Sequence, residues 1–446
     1  MKLKYIAALS LMLGAPLTQY AQEVTNLSDP FDMIFKKAAE RNPNFQQDMQ
    51  AFQADLAQKA EQYMMPGTAQ RTTGINRTVP VVFHIVMSKA QMSDTSRIID
   101  RIKTQMTVLN EDFNAENADK TNIPSAFKSL HADMNINFVL AKVDPQGRPT
   151  NGYEFVETTE TSFEADDQGS NGSRYYCSDA KYKSSGGADA WDTKRYMNVW
   201  VVNSITPAGV GGVGTPPPYS IYGGTAILPW EEQGIVMRYL YLGSQGSEKG
   251  RVLTHEAGHF FNLFHTFGMG TFDNSDCKDD DGVTDTPPQA VPTQSTCPTF
   301  PVTDVCSPAS PGIMFSNHMD YSAGSCRLMF TTGQKARIYI ETENAGGFRY
   351  SLFMNPYLTS VDDAAQASAI NIYPNPTSGN FRIVFGSSDV PQKVRVFNQL
   401  GQMVHAADVA GGAAQLDVDM SRLPKGTYTV SCVYSQQVVN KSVVLL

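Results

Sequence analysis

The sequence predicts two folded units in one chain: an α/β unit with a twisted mixed sheet and a histidine-bearing helix, then a small all-β sandwich. Three observations carry this. The run Val79-Pro80-Val81-Val82-Phe83-His84-Ile85-Val86 is short, apolar and β-branched, as a buried strand requires; a helical pattern at Ile98, Ile99, Ile102, Met106 and Leu109 separates it from a second strand at residues 136–140. Three of the seven histidines in the chain fall within His255-Glu256-Ala257-Gly258-His259-Phe260-Phe261-Asn262-Leu263-Phe264-His265. Beyond residue 370 the pattern becomes short alternating strands divided by Gly and Asn turns, which reads as a sandwich.

From the N-terminus, Met1-Lys2-Leu3-Lys4, the apolar run from Ile6 to Leu17 and the small residue Ala21 form a secretory signal peptide, residues 1–21, cut before Gln22. No later stretch is apolar for the roughly 20 residues a membrane helix needs, so no transmembrane segment is expected in the mature chain. Residues 22–77 are polar and helix-prone, with Phe31, Ile34, Phe35 and Ala38, then Phe52, Leu56, Ala57 and Ala60, at helical spacings. They read as a removable pro-segment. No cysteine precedes Cys177, so latency would rest on a carboxylate such as Asp29 or Asp32, or on steric cover. Arg71 and Arg77 flank Thr72-Thr73-Gly74 and are the expected processing points.

The α/β unit is expected over residues 78–357. At 446 residues the whole chain should hold two or three units, and a net charge of -9 without a basic stripe excludes nucleic acid as a partner. Asp94 should cap the first helix of this unit, and His84, on its first strand, is a packed structural histidine. Another strand follows at Tyr196-Met197-Asn198-Val199-Trp200-Val201-Val202. The stretch Ala208-Gly209-Val210-Gly211-Gly212-Val213-Gly214-Thr215 is nearly free of side chains, which suits either an edge where another backbone comes close or a flexible loop.

On a helix, His255 and His259 project from one face and can converge on one metal, with Glu256 beside its open position. His265, six residues after His259, would turn to the far side of a continued helix, so the chain must leave the helix first, and Asn262 is the plausible exit. Three neutral imidazoles and a water make an open tetrahedral Zn²⁺ site, and a free carboxylate beside it serves as general base. Downstream, Asp273, Asp276, Asp279, Asp280, Asp281 and Asp285 crowd one loop, which suits Ca²⁺ or a solvated acidic surface. Four cysteines, Cys277, Cys297, Cys306 and Cys326, surround these loops and by count allow three pairings, whereas Cys177 and Cys432 are isolated.

The histidine run, with Met319 in Asn317-His318-Met319-Asp320-Tyr321, resembles the metzincin clan of zinc peptidases. More narrowly, the run continued by Thr266-Phe267, then Asp285-Thr286-Pro287-Pro288-Gln289, then Met319-Asp320-Tyr321, resembles the pappalysin family; metzincins usually carry Gly where this chain has Asn262. The resemblance implies a metzincin catalytic domain acting on protein or peptide substrates, with Met319 beneath the metal and Tyr321 stabilising an oxyanion. It also implies the interleaved pairs Cys277 with Cys306 and Cys297 with Cys326, and a structural Ca²⁺ held by Asp281, Asp285 and the Val283 carbonyl. After a linker at residues 358–369, Tyr373-Pro374-Asn375-Pro376, Leu400-Gly401-Gln402 and Gly426-Thr427-Tyr428 resemble the C-terminal sorting domain of type IX secretion in Bacteroidetes, over residues 370–446. That implies the type IX machinery as a partner and export through the periplasm to the cell surface or medium. The expected function is a secreted zinc endopeptidase; the alternative is a surface adhesin on a protease-like scaffold.

Overall fold

Strand β1 (Thr78–Met87) is the hub of the first unit. It pairs in parallel with β2 (Asn137–Leu140) and β3 (Tyr153–Glu157) along one edge and with β5 (Met197–Val202) along the other. Strand β8 (Ile235–Arg238) continues the sheet in parallel, and β7 (Gly212–Gly214) closes it as an antiparallel edge, so the sheet is mixed. Two short strands, β4 (Phe163–Glu164) and β6 (Ile205–Thr206), pair outside it. In this computed structural model the described residues are 44–64, 77–165, 177–217, 230–268, 277–294, 296–343, 347–354, 370–386, 390–398, 403–411, 413–433 and 438–446. The signal peptide, Asp29, Asp32, Arg71, Asp273, Asp276 and residues 358–369 lie outside them.

Both faces of β1 are covered, which explains its unbroken apolar run. Val81, Phe83 and Ile85 face a core with Ile98, Ile102, Leu109 and Phe113 of helix α2 (Thr95–Phe113), while Val86 joins Trp200, Val202, Val236 and Phe264 on the other side. The Asp94 carboxylate accepts from the Arg97 N–H at 3.0 Å and starts α2. His84 is a packed structural histidine: it is fully buried, bonded to Glu154 and Asn198, and stacked on Trp200. Among the described residues no helix is long and apolar enough to cross a membrane.

Helix α1 (Phe45–Met64), within the expected pro-segment, packs on helix α4 (Thr332–Glu343): Leu56 is buried and Tyr63 meets Tyr339 edge to face at 5.0 Å. Arg77 corrects one expectation. Its side chain is buried, with the guanidinium 3.5 Å from the centre of the Tyr339 ring, so it is not an accessible processing point in this state. The cation–aromatic stack and the adjoining start of β1 hold it in place.

The tail forms two antiparallel sheets. One holds β9 (Ile370–Tyr373), β10 (Asn380–Phe385) and β13 (Gln415–Asp419); the other holds β11 (Lys393–Phe397), β12 (Met403–Asp408), β14 (Gly426–Val433) and β15 (Val438–Leu445). Phe381, Ile383, Val394, Val396, Val430 and Val443 alternate into a shared core. Burial there pushes the Cys432 thiol up to about 12 and keeps it unreactive.

Candidate metal centre

Helix α3 (Arg251–Phe260) lies wholly inside the first unit, every one of its residues buried. Its first turn is anchored by charge. Arg251 donates to both oxygens of Asp112 and of Asp119 and to the Gly324 carbonyl, while Thr254 donates to Asp112 at 2.8 Å. Burial pushes Asp112 up to about 6 even beside that guanidinium. Asp112 stands at the end of α2, so this network ties the histidine helix to the helix that crosses the sheet.

The helix ends in a left-handed turn. Asn262 has φ 74°, its N–H donates to the His259 carbonyl, and the Leu263 N–H donates to the Gly258 carbonyl, both at 2.9 Å; this pair of bonds is the Schellman arrangement. The turn sends the chain back so that His265 faces His255 and His259. Their Nε2 atoms are 3.0, 3.2 and 3.3 Å apart in pairs. His255 Nδ1 donates to the His318 carbonyl at 2.7 Å and His259 Nδ1 to the Leu263 carbonyl at 2.8 Å, so in neutral imidazoles the Nε2 lone pairs point inward at one another. Lone pairs so close repel unless a cation sits among them. A tetrahedral ion bound at about 2.0–2.1 Å places its nitrogens roughly 3.3–3.4 Å apart, so this donor set fits Zn²⁺. Among the described residues these three form the one cluster of three or more His, Cys, Asp or Glu side chains able to hold a metal.

Glu256 is buried beside the triad, and its Oε2 accepts from the Gly214 N–H of β7 at 2.6 Å. The near-absence of side chains in this stretch therefore has a reason besides the one expected: a Cβ on Gly212 would come within 3.0 Å of the Glu256 carboxyl group, and one on Gly214 would collide with the Glu256 backbone. Met319 lies below α3, its sulfur against Gly258, where a Cβ would clash. The Tyr321 ring stands 4.8 Å from His265 and 5.8 Å from His255, and Phe267 stacks on His265 at 4.7 Å.

The separated motif pieces meet through Gln289, which accepts from Thr266 at 2.9 Å and donates to Asp320 at 3.1 Å. Asp320 also accepts from the Thr293 N–H, and burial pushes it up to about 6. Two disulfides, Cys277–Cys306 and Cys297–Cys326, brace the surrounding loops, with Cα atoms 5.4 and 5.6 Å apart. The acidic loop is less open than a solvated surface would be. Asp281 Oδ1 accepts from the Val283 N–H and from Thr286, the Val283 carbonyl also accepts from Thr286, and Asp285 accepts from Thr331 and from the Gly333 N–H at the start of α4. Asp281 Oδ2 is buried with no donor bonded to it among the described residues, the Asp280 carboxyl lies alongside, and burial pushes the Asp281 carboxyl well up.

Sequence reasoning did not find Asp112 or Glu341, which hold the histidine motif from outside it. Asp112 and Glu341 are 143 residues before and 86 after His255 respectively, from their positions in the chain, and no local pattern links them.

A family model described as pregnancy-associated plasma protein-A matches residues 181–342, and one described as secretion system C-terminal sorting domain matches residues 371–445. An extracellular metalloprotease of Arthroderma otae is 43% identical over 90 residues, 20% of this chain and 30% of that protein. One of Verticillium alfalfae is 34% identical over 151 residues, 33% of this chain and 49% of that protein. The matches thus span between a quarter and a half of these curated relatives. Among solved structures, mature mirolysin of Tannerella forsythia in complex with a cleaved peptide is 36% identical at a TM-score of 0.52, covering 62% of this chain and 95% of that one. Promirolysin of the same organism is 33% identical at 0.53, covering 66% and 95%.

Proposed function

The chain belongs to the pappalysin family of metallopeptidases, and on that premise we propose that it is a secreted zinc endopeptidase. The observation that carries this reading is the convergence of three histidine Nε2 atoms within 3.3 Å of one another beside a buried carboxylate. His255, His259 and His265 would hold the zinc. When bound, the metal acidifies the attacking water and polarises the scissile carbonyl. Glu256, steadied by the Gly214 N–H, accepts a proton from the water and returns it to the leaving amine nitrogen. The Tyr321 phenol donates a hydrogen bond to the oxyanion of the tetrahedral intermediate, and Met319 supports α3 from below. An extended substrate adds beside β7, the last strand in the sheet order, through main-chain hydrogen bonds.

The same reading assigns residues 22–77 as pro-segment, 78–357 as catalytic domain and 370–446 as the sorting domain recognised by the type IX machinery after export through the periplasm. The sorting-domain match over residues 371–445 supports the last of these. Calcium is proposed as a structural ion at Asp281, with the Val283 carbonyl and Asp285. The buried Asp281 Oδ2, with no donor bonded to it among the described residues and the Asp280 carboxyl alongside, supports it, and Asp285 also serves α4, so the site would depend chiefly on Asp281. The test of the activity is digestion of a diverse peptide library read by mass spectrometry. Zinc-dependent internal cleavage is expected; binding without any cleavage would favour an adhesin.

A further inference from the structure

Two buried side chains, Asn262 within the histidine motif and Glu341 far outside it, meet at its exit turn. Asn262 Nδ2 donates to Glu341 Oε1 at 3.1 Å, and the two residues are 1% and 3% exposed. Glu341 lies near the end of α4, and its other oxygen accepts from the Phe348 N–H at 3.3 Å. The turn that Asn262 makes does two things. It supplies the Leu263 carbonyl that fixes the His259 ring, and it reverses the chain so that His265 reaches the other two imidazoles.

A residue at φ 74° is readily accommodated only if it is Gly; Asn follows because its short amide can be held by a hydrogen bond. Here that bond is made to a carboxylate 79 positions away rather than to the local backbone. A buried carboxylate is expensive to keep unless it is bonded, and Glu341 is bonded on both oxygens.

We propose that Glu341 is a positioning residue for the metal centre, its carboxylate clamping the Asn262 amide and thereby holding the left-handed turn that aims His259 and His265. The proposal rests on the metallopeptidase reading above. It predicts a specific interdependence: Glu341 matters because position 262 is Asn, and it should cease to matter to the metal when that residue is Gly, which holds the turn unaided.

The test is a double-mutant cycle on the full chain carrying Glu256→Ala to prevent self-digestion, with zinc affinity measured by competition against a chromophoric chelator. Glu341→Ala should weaken zinc binding at least about tenfold, in the range seen when groups supporting metal ligands are removed. Glu341→Gln, which keeps an oxygen acceptor for the amide, should stay within about threefold of the parent on the same scale. In the Asn262→Gly background, adding Glu341→Ala should change zinc affinity less than about threefold, because Gly holds the turn unaided; the loss of the Phe348 contact is common to both arms and cancels in their difference. Should Glu341→Ala fail to fold alone yet fold and bind zinc with Asn262→Gly, the rescue supports the proposal equally. Equal losses in both backgrounds, failure to fold in both, or no loss in the Asn262 background would overturn it. Absence of zinc binding in the parent itself would overturn the metallopeptidase reading as well, which keeps the two failures distinct.

Discussion

Replacing Arg251 by Met keeps length and packing but removes the cation from the buried charge network behind the histidine helix. Asp112 would remain 1% exposed with Thr254 as its donor among the described residues, the His318 Nε2 standing off at 3.9 Å. Breaking a buried pair by removing one partner costs about 3–5 kcal/mol, because the surviving charge stays desolvated. The sign of the pH dependence follows from Asp112 itself. Its folded-state pKa is already raised from 3.8 to about 6 by burial, so its contribution to stability is largest below the unfolded value and declines as pH rises through the folded one. Without Arg251 that folded value rises further, and near pH 5 the carboxyl is neutral in the folded chain. The loss at pH 5 should then shrink to the missing hydrogen bonds to Asp119 and the Gly324 carbonyl, about 1–2 kcal/mol. Scanning calorimetry in a Glu256→Ala background, at pH 5 and pH 8, reads this as a melting-point deficit that grows with pH. Adding Asp112→Leu should recover at least half of the deficit at pH 8, since a matched apolar pair needs no counter-charge. A deficit equal at both pH values, or below about 1 kcal/mol at pH 8, would refute the placement of an ionised, dependent Asp112 behind the helix.

Among the described residues Asp320 has no cationic partner, and burial raises it from 3.8 to about 6; its contribution to stability should therefore fade between pH 4 and pH 7, by on the order of 3 kcal/mol. Asp320→Asn should flatten that slope, so a variant whose stability tracks wild type across this range would count against it. A calcium-selective chelator should lower the melting temperature and speed self-digestion while zinc stays bound, and Asp281→Asn should reproduce the effect without chelator. If neither treatment moves the melting temperature, the loop holds no ion. Deleting residues 370–446 should leave peptidase activity intact, because the sandwich has its own core, while surface and medium fractions of the native host lose the enzyme. Normal secretion of the truncated chain would remove the sorting role.

The fold class was legible because its strongest signals are local. The β1 run and the α2 stripe both lie within the elements their periodicity suggests, and the tail forms the short alternating strands expected beyond residue 370. β3 and β12 were not legible: Tyr153–Glu157 and Met403–Asp408 mix charged and small residues, and pairing to β1 and to β11 decides their conformation. The histidines could be read from spacing because the i, i+4 geometry belongs to one helix. Their support could not. Asp112 and Glu341 act through contacts closed only by tertiary packing, and nothing local distinguishes them from any other polar residue; Gln289 stood in a recognised stretch, but its link between Thr266 and Asp320 is closed only by the fold. The Gly-rich stretch shows the same limit: its composition announced a close approach, but only the structure identifies Glu256 as what approaches.

The central claim is that this triad holds a zinc ion and that Glu256 moves the proton for peptide hydrolysis. Zinc content and casein cleavage measured side by side on the wild-type and Glu256→Ala chains test it most directly. One zinc per chain is expected in both, with cleavage falling at least about 100-fold in the variant, as loss of a general base requires. A Glu256→Ala chain that cuts casein at the wild-type rate, or a wild-type chain that cuts it with no zinc bound, would contradict the account.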